Sequence, residues 1–152
     1  MCLAVAGEML ALAGIHADAA AALDDGRALE VWDRMVRAQG GDPDAPLPQA
    51  ARTEVVPAPR GGVVTGIDAL AVGNAAWALG AGRAQQHDDV DPAAGVVLAL
   101  GVGDTVRAGA PLCTLHAADD AHLAAGRAAL TCAFAIGDTA AEPVPVVLSK
   151  VS

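Results

Sequence analysis

The chain has 152 residues, of which 54% are hydrophobic but only 2% aromatic, with one Phe, two Trp and no Tyr. That length holds one domain with a sizeable core plus a small attached piece, and Ala, Val and Leu must fill that core, so helices are expected to pack closely. The net charge of −9 argues against nucleic acid and anionic membrane as partners, both of which require a cationic face, and cysteines at 2, 113 and 132 lack paired spacing, which fits a reducing cytoplasm.

Met1 to Gly14 is apolar, yet it has no basic leader, carries Glu8 and is too short to cross a bilayer, so it is read as neither a secretory signal nor a span. Val5, Met9 and Leu12 recur at helical spacing, with Leu3, Ala6, Leu10 and Ala13 beside them, and predict a packing helix ended near Gly14. A short helix around Asp18 to Leu23 follows, then a third from about Asp25 to Gln39. In the third, Leu29, Trp32 and Val36 form the expected buried stripe, while Glu30, Asp33, Arg34 and Arg37 face water and Gly40-Gly41 stops the helix. Trp32 at stripe spacing reads as core or interface rather than as a platform for a base. Pro43, Pro46 and Pro48 mark Gly40 to Ala51 as a linker. The expected organisation is a helical arm over 1–39, a linker over 40–52 and a C-terminal domain over 53–152.

Thr53 to Ala58 and Gly62 to Ile67 read as strands joined by Pro59-Arg60-Gly61, and Asp68 as the N-cap of a helix reaching Leu79. Ala69, Val72, Ala76 and Leu79 would line one side of that helix, with Gly73 permitting close approach to the sheet. A polar, acidic loop runs from Gly80 to Ala94. The stretch Gly95 to His116 is the most informative: two β-type runs surround a connector in which Gly103 and Gly109 permit tight reversals, Val106 is an apolar pin, and Pro111 opens the returning strand. His116 to Gly137 reads mostly as an alanine-rich helix with Leu123, Leu130 and Phe134 inward, and Pro143 to Val151 as a final edge strand that tolerates Pro145. The predicted class is α+β, a hammerhead-type domain with two helices preceded by a short helical arm.

The 95–116 pattern resembles the β-hammerhead found in biotin and lipoate carriers and in the last domain of pyrimidine nucleoside phosphorylases. A carrier needs a lysine at the hairpin tip; here Lys150 is the only lysine and the tip offers Asp104 and Arg107. The surrounding blocks are similar to the phosphorylase family in the same order: Leu29 to Pro43 with Leu47-Pro48-Gln49-Ala50, then Pro59 to Gly73, Leu79-Gly80-Ala81-Gly82-Arg83, the hammerhead ending in Leu115-His116-Ala117, and Val144 to Ser152. This resemblance covers nearly the whole chain but only the C-terminal third of the family. It implies a pentosyltransferase whose chemistry sits on an N-terminal catalytic region, with this portion forming one wall of the interdomain cleft. It also implies that the arm packs on that region and is able to pair with a second copy. The family's potassium ligands lie upstream of anything matched here, and no cofactor is expected. The alternative, from another class, is a stand-alone non-catalytic binding or assembly module.

Phosphorolysis needs a phosphate cradle of backbone amides with Lys, Ser or Thr. Serine occurs only at 149 and 152. Arg60-Gly61-Gly62 and Gly80-Ala81-Gly82-Arg83 could hold an anion but read first as turns. Cys113 and His116, with His122 six residues on, invite a metal reading, but positions three apart on a strand point to opposite faces, so Cys113 and His116 cannot readily share an ion and read as a buried thiol and a structural histidine. Asp88, Asp89 and Asp91 lack the Gly and Glu of a calcium loop, and Asp104 reads as a turn residue rather than a catalytic acid. No catalytic, cofactor-binding or metal-binding residue is therefore assigned, and the isolated chain is expected to be inactive.

Overall fold

A computed structural model describes residues 2–83 and 85–139, which form two compact units divided between Pro46 and Leu47. The first holds α1 (Cys2–Leu12), α2 (Ala19–Asp24) and α3 (Arg27–Ala38). Asp18 caps α2, its Oδ1 accepting from the N–H groups of Ala20 at 2.9 Å and Ala21 at 3.1 Å. Gly26, at φ 88°, separates α2 from α3, so the third helix starts later than the expected Asp25. No residue from 2 to 46 is buried. The expected buried stripe of α3 is thus corrected: Leu29 is 63% exposed and Trp32 55%, and Val36 is only half-buried. The reason is size, since α1 and α2 have 11 and 6 residues and leave much of α3 uncovered.

The second unit is built on two antiparallel three-stranded sheets, and its α+β class is the expected one. In one sheet β5 (Pro111–Ala117) lies between β1 (Arg52–Pro57) and β3 (Gly95–Leu98). Alternation along β5 sends Cys113, Leu115 and Ala117 into the core, while Thr114 and His116 take the other face. That core is closed by α4 (Ala69–Ala76), a π-helical turn (Trp77–Ala81) and α5 (Asp120–Ala129), which contribute Ala75, Leu79 and Leu123. Asp68 caps α4 as expected, accepting from Leu70 and Ala71 at 2.9 and 3.1 Å.

The inward face of α4 differs from the expected one. Ala69 is exposed and Ala76 only half-buried; Ala71, Val72, Ala75 and Leu79 face the core, with Ala71, Ala75 and Leu79 recurring at intervals of four residues. Gly73 makes no close approach, since a Cβ there would meet nothing within 4 Å. The close approach is on α5, where a Cβ at Gly126 would lie 2.5 Å from Cγ and Cδ2 of Leu79.

The second sheet has the order β4 (Thr105–Val106), β2 (Gly62–Ile67), β6 (Phe134–Gly137). β6 corrects the expectation of one long helix to Gly137: α5 ends at Ala129, and Cys132, in the left-handed region at φ 65°, turns the chain into a strand. Phe134 does point inward, as a strand residue packed against both cores. The second core comprises Ala58, Val64, Val106 and Leu112. The expected strand from Pro143 to Val151 lies outside the described residues.

Two ion pairs fasten β1 to α5. Arg52 Nε meets Asp120 Oδ1 at 3.1 Å near the start of the helix, and Glu54 Oε2 meets Arg127 Nη2 at 2.6 Å near its end. Each charge on α5 also has the sign that its end of the helix dipole favours.

Candidate functional site

The turn-rich end of the second unit carries most of the residues singled out by sequence. The connector after β3 reverses at Gly103, with φ 97°, and again at Gly109, with φ 80°. Asp104 works as a turn acceptor: its Oδ2 takes the Gly101 N–H at 2.7 Å, and its carbonyl takes the Val64 N–H at 2.9 Å. The Gly109 N–H donates to the Ala58 carbonyl at 2.8 Å and the Ala58 N–H donates to the Ala110 carbonyl at 2.8 Å, which ties the tip to the β1–β2 connection. Val106 is buried, as the apolar pin should be. A shallow groove of about 460 Å³ runs beside it, lined by Leu100, Asp104, Thr105, Arg107, Ala110 and Pro111.

Arg60 sits at the same end. Its Nη1 pairs with Asp138 Oδ1 at 3.0 Å and its Nη2 donates to the Ile136 carbonyl, so its guanidinium secures the end of β6. The Gly80–Arg83 turn holds an indole: Trp77 Nε1 donates to the Arg83 carbonyl at 3.1 Å, and a Cβ at Gly82 would overlap the Trp77 ring. Arg34, Arg83 and Arg107 have no ion-pair partner among the described residues.

The thiol and imidazoles are not brought together. Cys113 is fully buried, and burial pushes its thiol pKa up, which makes it a poor nucleophile and ligand. His116 is on the opposite face of β5, half-buried. His122 belongs to the first turn of α5, where its Nδ1 lies 2.8 Å from Asp119 Oδ1. In the acidic loop, Asp88 Oδ2 accepts from the Gln85 N–H at 2.7 Å and Asp91 Oδ1 from the Ala93 N–H at 2.8 Å. No three His, Cys, Asp or Glu side chains converge to hold a metal among the described residues. Nor is any described helix long and apolar enough to cross a membrane.

Sequence reasoning missed the Asp119–His122 cap and the two β1–α5 ion pairs. An Asp immediately before an alanine-rich run is a readable N-cap signal, whereas ion pairs spanning 68 and 73 residues leave no local trace.

Residues 63–137, from β2 through β6, match the family model of the pyrimidine nucleoside phosphorylase C-terminal domain. The second unit carries a pyrimidine nucleoside phosphorylase C-terminal domain. The chain is 42% identical over 150 residues to a thymidine phosphorylase of Mycobacterium tuberculosis (strain CDC 1551 / Oshkosh), a match that takes in 98% of this chain. Thymidine phosphorylases of Burkholderia orbicola (strain MC0-3) and Burkholderia cenocepacia (strain HI2424) are each 38% identical over 154 residues, taking in 93% of it. The chain spans about 35% of the length of these relatives. Within the phosphorylase family model fall Asp104, Arg107 and the Gly80–Arg83 turn, while Arg60 and α1 to α3 precede it.

Proposed function

We propose that this chain is the C-terminal portion of a pyrimidine nucleoside phosphorylase that works in the cytoplasm, and that it walls and helps close the substrate cleft while the chemistry lies on the part its relatives carry beyond it. In the reaction an oxygen of inorganic phosphate attacks C1′ of the nucleoside, the bond from C1′ to the base nitrogen breaks, and the base leaves with the electron pair and takes up a proton. The products are the free pyrimidine and a pentose 1-phosphate. The observation that carries this reading is the 42% identity extending over 98% of the chain, far past the domain model alone. Three unpaired cysteines, Cys2, Cys113 and Cys132, support a reducing compartment.

The same reading makes the isolated chain inactive. The developing negative charge on the base and the attacking phosphate both require preorganised donors. Among the residues described here, Arg60 is engaged with Asp138 and Ile136, and the turn carboxylates would repel phosphate. Protein purified from a host lacking thymidine and uridine phosphorylases should release no base from thymidine or uridine when phosphate is added. Joined to the portion of the M. tuberculosis thymidine phosphorylase that lies outside the matched 150 residues, it should restore phosphate-dependent release. A folded but inactive chimaera counts against the assignment, and phosphate-dependent turnover by the chain alone refutes the division of labour.

A further inference from the structure

A groove of about 320 Å³ lies between the π-helical turn and α5, lined by Trp77, Ala78, Ala121, His122 and Ala125. Trp77 is 52% exposed, yet it is fixed in place: its Nε1 donates to the Arg83 carbonyl at 3.1 Å, and Gly82 lies so close to the five-membered ring that a Cβ there would overlap it. An indole held on one side and open on the other is a stacking platform whose rotamer freedom is already spent. Ala121 and Ala125, one helical turn apart, and Ala78 are too short to cover it.

His122 is fixed as well. Its Nδ1 lies 2.8 Å from Asp119 Oδ1, and because a carboxylate only accepts, the imidazole proton sits on Nδ1 and Nε2 is left as an acceptor. Nothing among the described residues donates to that nitrogen. Platform and acceptor together suit a flat ring that brings its own N–H: a sugar or a phosphate does not stack, and an aliphatic group has no donor. The groove sits at the low end of ordinary ligand pockets, roughly 300–1,000 Å³, which favours a single ring. We propose that the Trp77–His122 groove binds a free pyrimidine base, stacked on the indole and donating a ring N–H to Nε2 of His122. The choice of a pyrimidine among N–H-bearing rings rests on the functional reading above, in which the base is a product; the platform and the acceptor stand without it.

Trp32→Phe, on the exposed surface of α3, leaves Trp77 as the single indole of the chain. Titrating that protein with thymine should quench its fluorescence saturably, with a Kd on the order of 1 mM. Thymine methylated on both ring nitrogens keeps the flat ring but lacks the donor, and should bind roughly fivefold more weakly. His122→Ala, which retains the backbone N–H that Asp119 caps, should weaken thymine by the same factor and leave the dimethylated base unaffected. Quenching that rises linearly without saturation overturns the proposal, and so does saturable quenching that treats the two bases alike. If His122→Ala does not fold, the comparison of the two bases on the intact histidine decides alone. Binding by the chain alongside an inactive chimaera upholds the groove and rejects only the functional reading, whereas an active chimaera without thymine binding by the chain rejects the groove alone.

Discussion

Asp119 uses one carboxylate oxygen for two contacts: Oδ1 accepts the His122 backbone N–H at 2.8 Å and lies 2.8 Å from the imidazole Nδ1. The backbone bond first, and the ring contact second, hold its pKa below the ordinary carboxylate value. A carboxylate lowered on folding adds stability that is fully present above its unfolded pKa, about 3.9, and is lost as pH falls through the folded value. Asp119→Asn keeps a capping oxygen but removes the charge. The stability gap between wild type and Asp119→Asn in urea melts is therefore expected to be constant near neutrality and to shrink below about pH 4; a gap that persists at pH 2 sinks the attribution to charge. Capping was legible at Asp68, which reads as an N-cap from sequence alone, whereas Asp18 was read only as part of the short helix that it caps. The opposite faces of Cys113 and His116 were equally legible, because strand periodicity is fixed by the pleat. The left-handed Cys132 was not, because nothing in Leu130-Thr131-Cys132-Ala133 carries the Gly or Asn that usually marks such a turn.

Helix α5 shows how a choice of small residue sets the distance between elements. Gly126 faces the fully buried Leu79 of the π-helical turn, and a methyl there would lie 2.5 Å from the branch carbon Cγ as well as from Cδ2, so turning one methyl aside does not relieve the clash. Gly126→Ala gains about 1 kcal/mol of helix propensity and loses roughly 1–3 kcal/mol to overpacking. A net destabilisation of about 1 kcal/mol is expected in denaturant melts, and Leu79→Ala in the Gly126→Ala background should cost less than Leu79→Ala alone. A more stable Gly126→Ala protein would show that the α5 contact is looser than described. Sequence placed the glycine-mediated approach at Gly73 because that residue lies on the predicted α4, but which glycine meets a neighbour depends on how helices pack. The same blindness hid β6. Phe134-Ala135-Ile136-Gly137 is four residues long and follows an alanine-rich run, so the helical period carried past the true end of α5, and pairing with β2 was a tertiary fact.

Apolar residues are unevenly partitioned along the chain. The second unit hides Leu79, Leu112, Leu115, Leu123 and Leu130, each contributing about 1.5–3 kcal/mol of burial, whereas the first leaves Val5, Met9, Leu12, Leu29 and Trp32 largely in water. The periodicity of α3 pointed to a buried stripe, but three short helices cannot shelter so many large apolar side chains. Local opening is governed by such deficits: segments with few buried contacts unfold at low cost, while a closed core opens only with the whole unit. Limited proteolysis of the isolated chain is therefore expected to cut first between Gly40 and Ala51, where three prolines interrupt regular structure, and next within the helices before it. A resistant product beginning between Gly40 and Arg52 should accumulate, with both β1–α5 ion pairs and both cores intact. Early cleavage between Gly101 and Gly109 with the arm left whole, at concentrations where the chain is a monomer, would reverse the order of stabilities argued from burial.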